Sequence, residues 1–261
     1  MKSLILTYRY IRYFFNSDTR HNIHSPFVYS LITEVLCRND EHPVFQKIES
    51  LRRRMLGDDS LVKIRDFGAG FEGKKYVEKK VSFIASHSCK SQKYSRLLHR
   101  LASYFRPSVI LELGTSVGVS GMYLASAVPD SEMTTMEGCE NTALIAKSNF
   151  IEAGLRNVRV ETGDFDSLLP AYLSESRPLD LVFIDGNHRM EPLLRYFNAC
   201  VGKAHANSCF VIDDINWSDE MKEAWNVILK HPKVYVTIDL FMLGLVFFNS
   251  DHSKQNFTIR F

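Results

Sequence analysis

Val109-Ile-Leu-Glu-Leu-Gly-Thr-Ser-Val-Gly118 is an apolar run carrying one acid and ending in a glycine turn. A short apolar run bounded by glycine reads as a strand buried on both faces. A helix-length stretch follows, Ser120 to Ala127, and then Met133-Thr-Thr-Met-Glu137, a second short run that closes on an acid. Strand, turn, helix and strand make a parallel βαβ unit. The same alternation continues along the chain. Apolar runs fall at 109–113, 132–136, 157–161, 179–184, 208–213, 233–238 and 243–248, with amphipathic segments between most of them. The last two are too close for a crossover helix and are expected to pair antiparallel. The expected architecture over residues 107–261 is α/β: a mostly parallel seven-stranded sheet with its last strand antiparallel.

Residues 1–106 have a different texture and are expected to form a mainly helical extension, the region for substrate or oligomer contacts. Leu4, Ile5, Tyr8, Ile11 and Phe15 recur at helical spacing, with Lys2, Arg9, Arg12 and Asn16 elsewhere around the helix. This stripe reads as a helix docked on its own domain or on a second subunit, in preference to a helix lying on a membrane surface. Ser25-Pro26 opens a further helix. Residues 76–106 read as helical, with Leu97, Leu98, Leu101, Ala102 and Phe105 as their apolar stripe.

The bulk properties narrow the function classes. At 261 residues and 45% hydrophobic the chain can bury a full core. A net charge of +2 gives no electrostatic case for nucleic acid as a partner. Cys37, Cys89, Cys139, Cys200 and Cys209 form no C-x-x-C pair and are odd in number, which fits reduced thiols in the cytoplasm. Arg9 and Arg12 interrupt the apolar N-terminus, and no stretch approaches the roughly 18 apolar residues of a membrane span.

Two segments compete as a nucleoside-binding loop, Asp66-Phe-Gly-Ala-Gly70 and Glu112-Leu-Gly-Thr-Ser-Val-Gly118. Such a pocket needs a second strand ending in an acid for the ribose hydroxyls, about 20 residues on. The first loop is followed at that distance by Ile84-Ala-Ser-His-Ser-Cys89, with no acid; the second is followed by Glu137. Asp66–Gly70 is therefore read as a turn of the extension, near the substrate mouth. A dinucleotide loop needs a tight G-x-G step to seat a pyrophosphate. Here the glycines are Gly114, Gly118 and Gly121, without that step. A ligand lacking phosphates, such as S-adenosylmethionine (SAM), does not need it.

From Val109 onward the chain resembles class I SAM-dependent methyltransferases, with their Rossmann-like fold, and within them the O-methyltransferases of the catechol and caffeoyl-CoA type. Glu112-x-Gly-x-x-x-Gly118-x-Ser120 resembles the group's first motif. The resemblance implies a cofactor pocket of Glu112, Gly114, Thr115, Ser116, Gly118, Ser120, Glu137, Gly138, Gly163, Asp164, Phe165 and Asp185. In it Glu112 and Gly114 line the methionine part, Glu137 takes the ribose hydroxyls and Asp164 meets the adenine amino group. Asp185-Gly-Asn-His188 and Asp213-Asp214-Ile-Asn-Trp217 are similar to later motifs. In metal-dependent members these positions hold one Mg2+ or Ca2+, which implies Asp185, Asp213 and Asp214 as ligands; Asp214 stands where Asn is usual. His188 occupies the position of a proton-accepting Lys, so Asp185 and His188 are the implied catalytic pair. Asp-Gly-Asn-His and Asp-Asp-Ile-x-Trp are also similar to uncharacterised bacterial methyltransferases.

Two departures weaken the resemblance where substrate is concerned. Ala206-Asn-Ser208 replaces a glycine pair, and the extension does not match the group's substrate region. The bland readings make Asp213 and Asp214 caps for the helix after Trp217, and His188 a polar residue at a helix start. The expected function is SAM-dependent O-methylation of a small hydroxylated molecule, with a divalent cation. Its rivals are metal-independent methylation of a carboxylate, sugar, protein or RNA group, and a non-catalytic SAM-binding scaffold. The N-terminal helices are a candidate homodimer contact.

Overall fold

The computed structural model describes residues 2–39, 41–65 and 76–261. The Asp66–Gly70 segment lies outside the described residues. In chain order the first elements are α1 (Lys2–Asn16), α2 (Pro26–Leu31), α3 (Pro43–Leu56), β1 (Leu61–Arg65), β2 (Tyr76–Lys80), α4 (Val81–Ser88) and α5 (Gln92–Phe105). Then come β3 (Val109–Leu113), α6 (Val119–Ala127), β4 (Glu132–Glu137), α7 (Glu140–Ala153), β5 (Val158–Thr162) and α8 (Phe165–Glu175). The last are β6 (Leu179–Ile184), α9 (Met190–Val201), β7 (Ala204–Asp213), α10 (Asp219–Leu229), β8 (Val236–Asp239), β9 (Leu243–Phe247) and β10 (Gln255–Thr258). They fall into two compact units, residues 39–175 and residues 1–38 with 176–261.

In the unit of residues 39–175, β3, β4 and β5 pair in parallel, with Ile110 opposite Met133 and Met136 opposite Glu161. All five residues of β3 are buried, as its unbroken apolar run requires. The α6 helix is buried from Val119 to Ala125. Its Val119, Met122 and Tyr123 pack with Phe45, Ile48, Leu51 and Met55 of α3, Val81 and Ile84 of α4, and Ala146 and Phe150 of α7. Residues 76–80, expected as helix, are instead β2, paired antiparallel with β1. Their exposure alternates residue by residue, and this period of two suits a strand with one face on the protein. The apolar stripe of 92–105 lies on α5 as expected, with Leu97, Leu98, Leu101 and Ala102 buried.

In the other unit the strand order is β10-β8-β9-β7-β6. β6 and β7 are parallel, and β9 is antiparallel to both of its neighbours, β7 and β8. The β8–β9 hairpin is the antiparallel pair expected from their short connection. β10 adds a strand that the apolar pattern did not reveal, pairing parallel with β8. α2 begins at Pro26 with Ser25 as its cap, as expected. α1 docks through Leu6, Arg9 and Tyr13, while the expected stripe stays exposed, Leu4 at 74% and Phe15 at 78%. Of the two placements expected for the stripe, on the chain's own domain or on a second subunit, the first is not seen among the described residues. Tyr13 donates its hydroxyl to the Ile259 carbonyl and accepts from the Phe261 N–H, and Asp18 bridges to Ile259. No helix among the described residues is long and apolar enough to cross a membrane, and no two of the five cysteines form a disulfide.

Candidate functional site

The first group of site residues belongs to the unit of residues 39–175. Past the end of β3 the chain turns sharply, with positive φ at Gly114 (106°), Ser116 (49°) and Gly118 (88°) before α6 begins. Glycine is the residue that takes such angles without strain, which is why the glycines recur here. Gly114 and Thr115 donate their N–H groups to the Met136 carbonyl at 3.0 and 3.2 Å, so the turn rests on the end of β4. Glu137, the next residue, is partly buried there. Its carboxylate accepts from the Ser116 N–H at 2.7 Å and from the Cys139 N–H at 2.9 Å. Burial pushes its pKa up, against these backbone donors.

Glu112 lies deeper. It is fully buried, and its carboxylate accepts from the Ser120 hydroxyl at 2.6 Å and the Thr135 hydroxyl at 2.6 Å. Thr135 in turn accepts from Thr115, whose side chain is buried too. Desolvation raises the Glu112 pKa to about 7, with the two hydroxyls opposing it. Glu112, Thr115 and Ser120 thus brace the strand, the turn and the helix to one another. Gly121 matters for the same packing: a Cβ there would lie 2.8 Å from Glu112 Oε2 and 2.8 Å from the Phe150 ring.

After β5, Gly163 donates to the Glu137 carbonyl at 2.9 Å, which sets the next turn against β4. Asp164 is exposed and caps α8, its Oδ1 accepting from the Asp166 N–H at 3.0 Å. Phe165 is the first residue of that helix. Sequence reasoning missed Thr135, Gly121 and Ser88, the last residue of α4, whose hydroxyl meets that of Ser116 at 2.6 Å. A threonine pair inside an apolar strand and a glycine inside a helix were the available signals for the first two. Nothing in the sequence singles out Ser88.

The second group belongs to the other unit, at the C-terminal ends of β6 and β7. Parallel pairing sets Ile184 opposite Ile212, so the following acids, Asp185 and Asp213, leave neighbouring strands together. Asn187, at φ 53°, curls the chain so that His188 returns toward Asp185, with Nε2 3.6 Å from Oδ1. Asp185, His188 and Asp213 each offer a donor atom, all within 4.8 Å of one another, and Asp213 is fully buried. Asp214 takes φ 53° and brings Oδ2 to 3.9 Å from His188 Nδ1. Asn and Asp tolerate that conformation better than most residues, which fits the usual Asn at this position. The cap of α10 is neither acid but Ser218, accepting from the Met221 N–H at 3.1 Å. Arg9 of α1 reaches the same loop, donating to the Asn216 carbonyl at 2.9 Å and pairing with Asp219.

Residues 111–215 match a family model described as a methyltransferase domain. A catechol O-methyltransferase of Niastella koreensis is 30% identical over 128 residues, covering 48% of this chain. The match spans 57% of that relative, so little more than half of its length is represented. Among solved structures, the O-methyltransferase TomG of Streptomyces achromogenes, in complex with SAM, aligns over 85% of this chain and 95% of its own, at 20% identity and a TM-score of 0.59. An O-methyltransferase of Bacillus cereus in complex with SAH aligns over 85% of this chain and 97% of its own, at 19% identity and a TM-score of 0.56. These two likenesses establish the fold. Residues 111–215 of this chain match the methyltransferase-domain model, and the chain shares the fold of these class I SAM-dependent methyltransferases.

Proposed function

We propose that the protein transfers a methyl group from SAM to a hydroxyl oxygen of a small molecule. The observation that carries this reading is the Glu137 carboxylate, held by the backbone N–H groups of Ser116 and Cys139 beside the Gly114–Gly118 turn. An anchored, partly buried carboxylate suits a pair of ribose hydroxyls. The SAM and SAH bound by the two solved O-methyltransferases support the cofactor, and the Niastella relative supports a hydroxylated acceptor.

SAM, when bound, supplies a methyl group already activated on a sulfonium. The protein's work is then to orient the acceptor and manage its proton. Gly114, Gly118 and Gly138 let the backbone approach the ligand, Glu137 holds the ribose, and Gly163, Asp164 and Phe165 serve the adenine end. The acceptor's proton goes to the carboxylate and imidazole group of Asp185 and His188. Asp185 and Asp213, joined by Asp214, would hold a divalent cation such as Mg2+ or Ca2+; their carboxylate oxygens are suited to one. Such a cation would lower the pKa of the acceptor hydroxyl.

Residues 1–106 are proposed to shape the acceptor pocket and oligomer contacts. The exposed α1 stripe supports a homodimer, and light scattering of the full chain tests it. The five cysteines without a disulfide support a cytoplasmic setting. The function itself is tested by calorimetric titration with SAM, followed by transfer of labelled methyl to a panel of catechols. Saturable binding and a labelled product are expected. Well-folded protein that binds no SAM would overturn the reading.

A further inference from the structure

We infer that His188 is a cation ligand and that Asp185, His188 and Asp213 form a mixed carboxylate–imidazole site preferring a first-row transition dication to Mg2+ or Ca2+. The inference rests on the reading of this cluster as the part of the site that activates the acceptor. It changes both the ligand set and the metal that the acids alone suggest.

Three observations carry it. The first is the grouping: among the described residues, the three that bring metal-binding atoms within 4.8 Å of one another are Asp185, His188 and Asp213. The second is spacing. The imidazole Nε2 is 3.6 Å from Asp185 Oδ1 and Nδ1 is 3.9 Å from Asp214 Oδ2, both too long for hydrogen bonds. Donors side by side on one cation, with bonds of about 2.0–2.4 Å, stand roughly 3.0–3.4 Å apart. The 3.6 Å gap therefore needs only a few tenths of an ångström of contraction to close around an ion. The third is burial. Asp213 is fully buried and the Asp185 side chain is 10% exposed, beside a third carboxylate in Asp214. Three carboxylates gathered in a poorly solvated place favour a divalent positive charge among them.

The donor chemistry then selects the metal. Oxygen-only sites suit Mg2+ and Ca2+, whereas an imidazole nitrogen adds affinity for Mn2+, Fe2+, Co2+ and Zn2+ in rising order. A lysine ammonium at position 188 would repel a cation. A neutral imidazole donates a lone pair to it instead, so His188 as a ligand gives up the proton-accepting role assigned to it above and leaves the acceptor's proton to the carboxylate of Asp185.

The test uses metal-stripped full-length protein and a second titration, with SAM, on the same preparation. Mn2+ and Co2+ should bind at least about tenfold more tightly than Mg2+. Pulsed electron paramagnetic resonance of the Mn2+ form should show 14N modulation from a directly bound nitrogen. In His188→Ala the 14N signal should vanish and the preference over Mg2+ should fall by about tenfold, while Mg2+ affinity changes less than about threefold. His188→Gln repeats the comparison should the Ala variant fold poorly, and the wild-type spectrum needs no variant. Bound Mn2+ without 14N modulation would overturn the inference, as would a preference that survives both substitutions. Wild type that binds SAM but no cation would also overturn it, leaving methyl transfer standing. Protein that binds neither would sink both.

Discussion

Ser116 donates its backbone N–H to the Glu137 carboxylate at 2.7 Å, tying the turn after β3 to the end of β4. That bond couples the two sequence features expected to hold the nucleoside, since the donor belongs to the glycine turn and the acceptor is the acid proposed for the ribose. It also means that Glu137 is positioned before any ligand arrives.

Glu137→Ala removes this anchor together with the acceptor for the ribose hydroxyls. Hydrogen bonds to a charged group contribute about 1.5–3 kcal/mol. Titration calorimetry is expected to show SAM affinity lowered about 10- to 100-fold, with far-ultraviolet circular dichroism unchanged. Affinity within twofold of wild type would separate Glu137 from the cofactor.

Glu112 predicts a pH dependence of stability. Its folded pKa of about 7 lies above the unfolded value of 4.5, so the folded state holds the proton more tightly. For this group the stabilisation is complete below about pH 4.5 and is lost as pH rises to about 7 and beyond, by up to about 3 kcal/mol. In Glu112→Gln that component disappears, because an amide does not ionise. Denaturant melts from pH 5 to 8 should show the variant gaining on wild type as pH rises; parallel curves would contradict the assignment.

Gly121→Ala places a methyl group 2.8 Å from both Glu112 Oε2 and the Phe150 ring, closer than real Cβ contacts come. Both neighbours are themselves buried and braced. Overpacking of this kind costs about 1–3 kcal/mol, although alanine is the better helix former. A lower denaturation midpoint is expected, and an equal or higher one would show that Phe150 yields freely.

Tyr13→Phe deletes the hydroxyl that bonds both Ile259 and Phe261. The loss should be about 1–3 kcal/mol, since one change leaves two backbone groups without that partner. Amide exchange should accelerate first in residues 257–261. Unaltered protection there would mean that solvent replaces the hydroxyl at no cost.

How much of this was legible in the chain follows from where the information lies. β3, β4, β6 and β9 are short runs rich in apolar residues, and that pattern located them. β10 was missed because Gln255-Asn-Phe-Thr258 is polar and largely exposed, held by its hydrogen bonds to β8 and not by burial. β2 was taken for helix with the rest of 76–106, while its true constraint is the pairing with β1, a strand earlier in the chain. At the site, the acids Glu112, Glu137, Asp185 and Asp213 announce themselves at the ends of strands. The hydroxyls of Thr135 and Ser88 do not: Thr135 is 23 residues from its partner Glu112, and Ser88 is 28 from its partner Ser116. The stripe on α1 was seen, but which face of that helix docks was decided by Tyr13 and Arg9, whose partners lie more than 200 residues away.

That last separation bears on how the molecule is made. Residues 39–175 are one continuous stretch, so the pairing of β3, β4 and β5 can begin while later residues are still being translated. Residues 1–38 are made well before 176–261, yet the two associate, and the Tyr13 hydroxyl meets Ile259 and Phe261. At about 5–20 residues per second, the aromatic α1 waits on the order of ten seconds or more for its seat to exist. During synthesis this helix, with both of its faces uncovered, is the segment with most need of a chaperone.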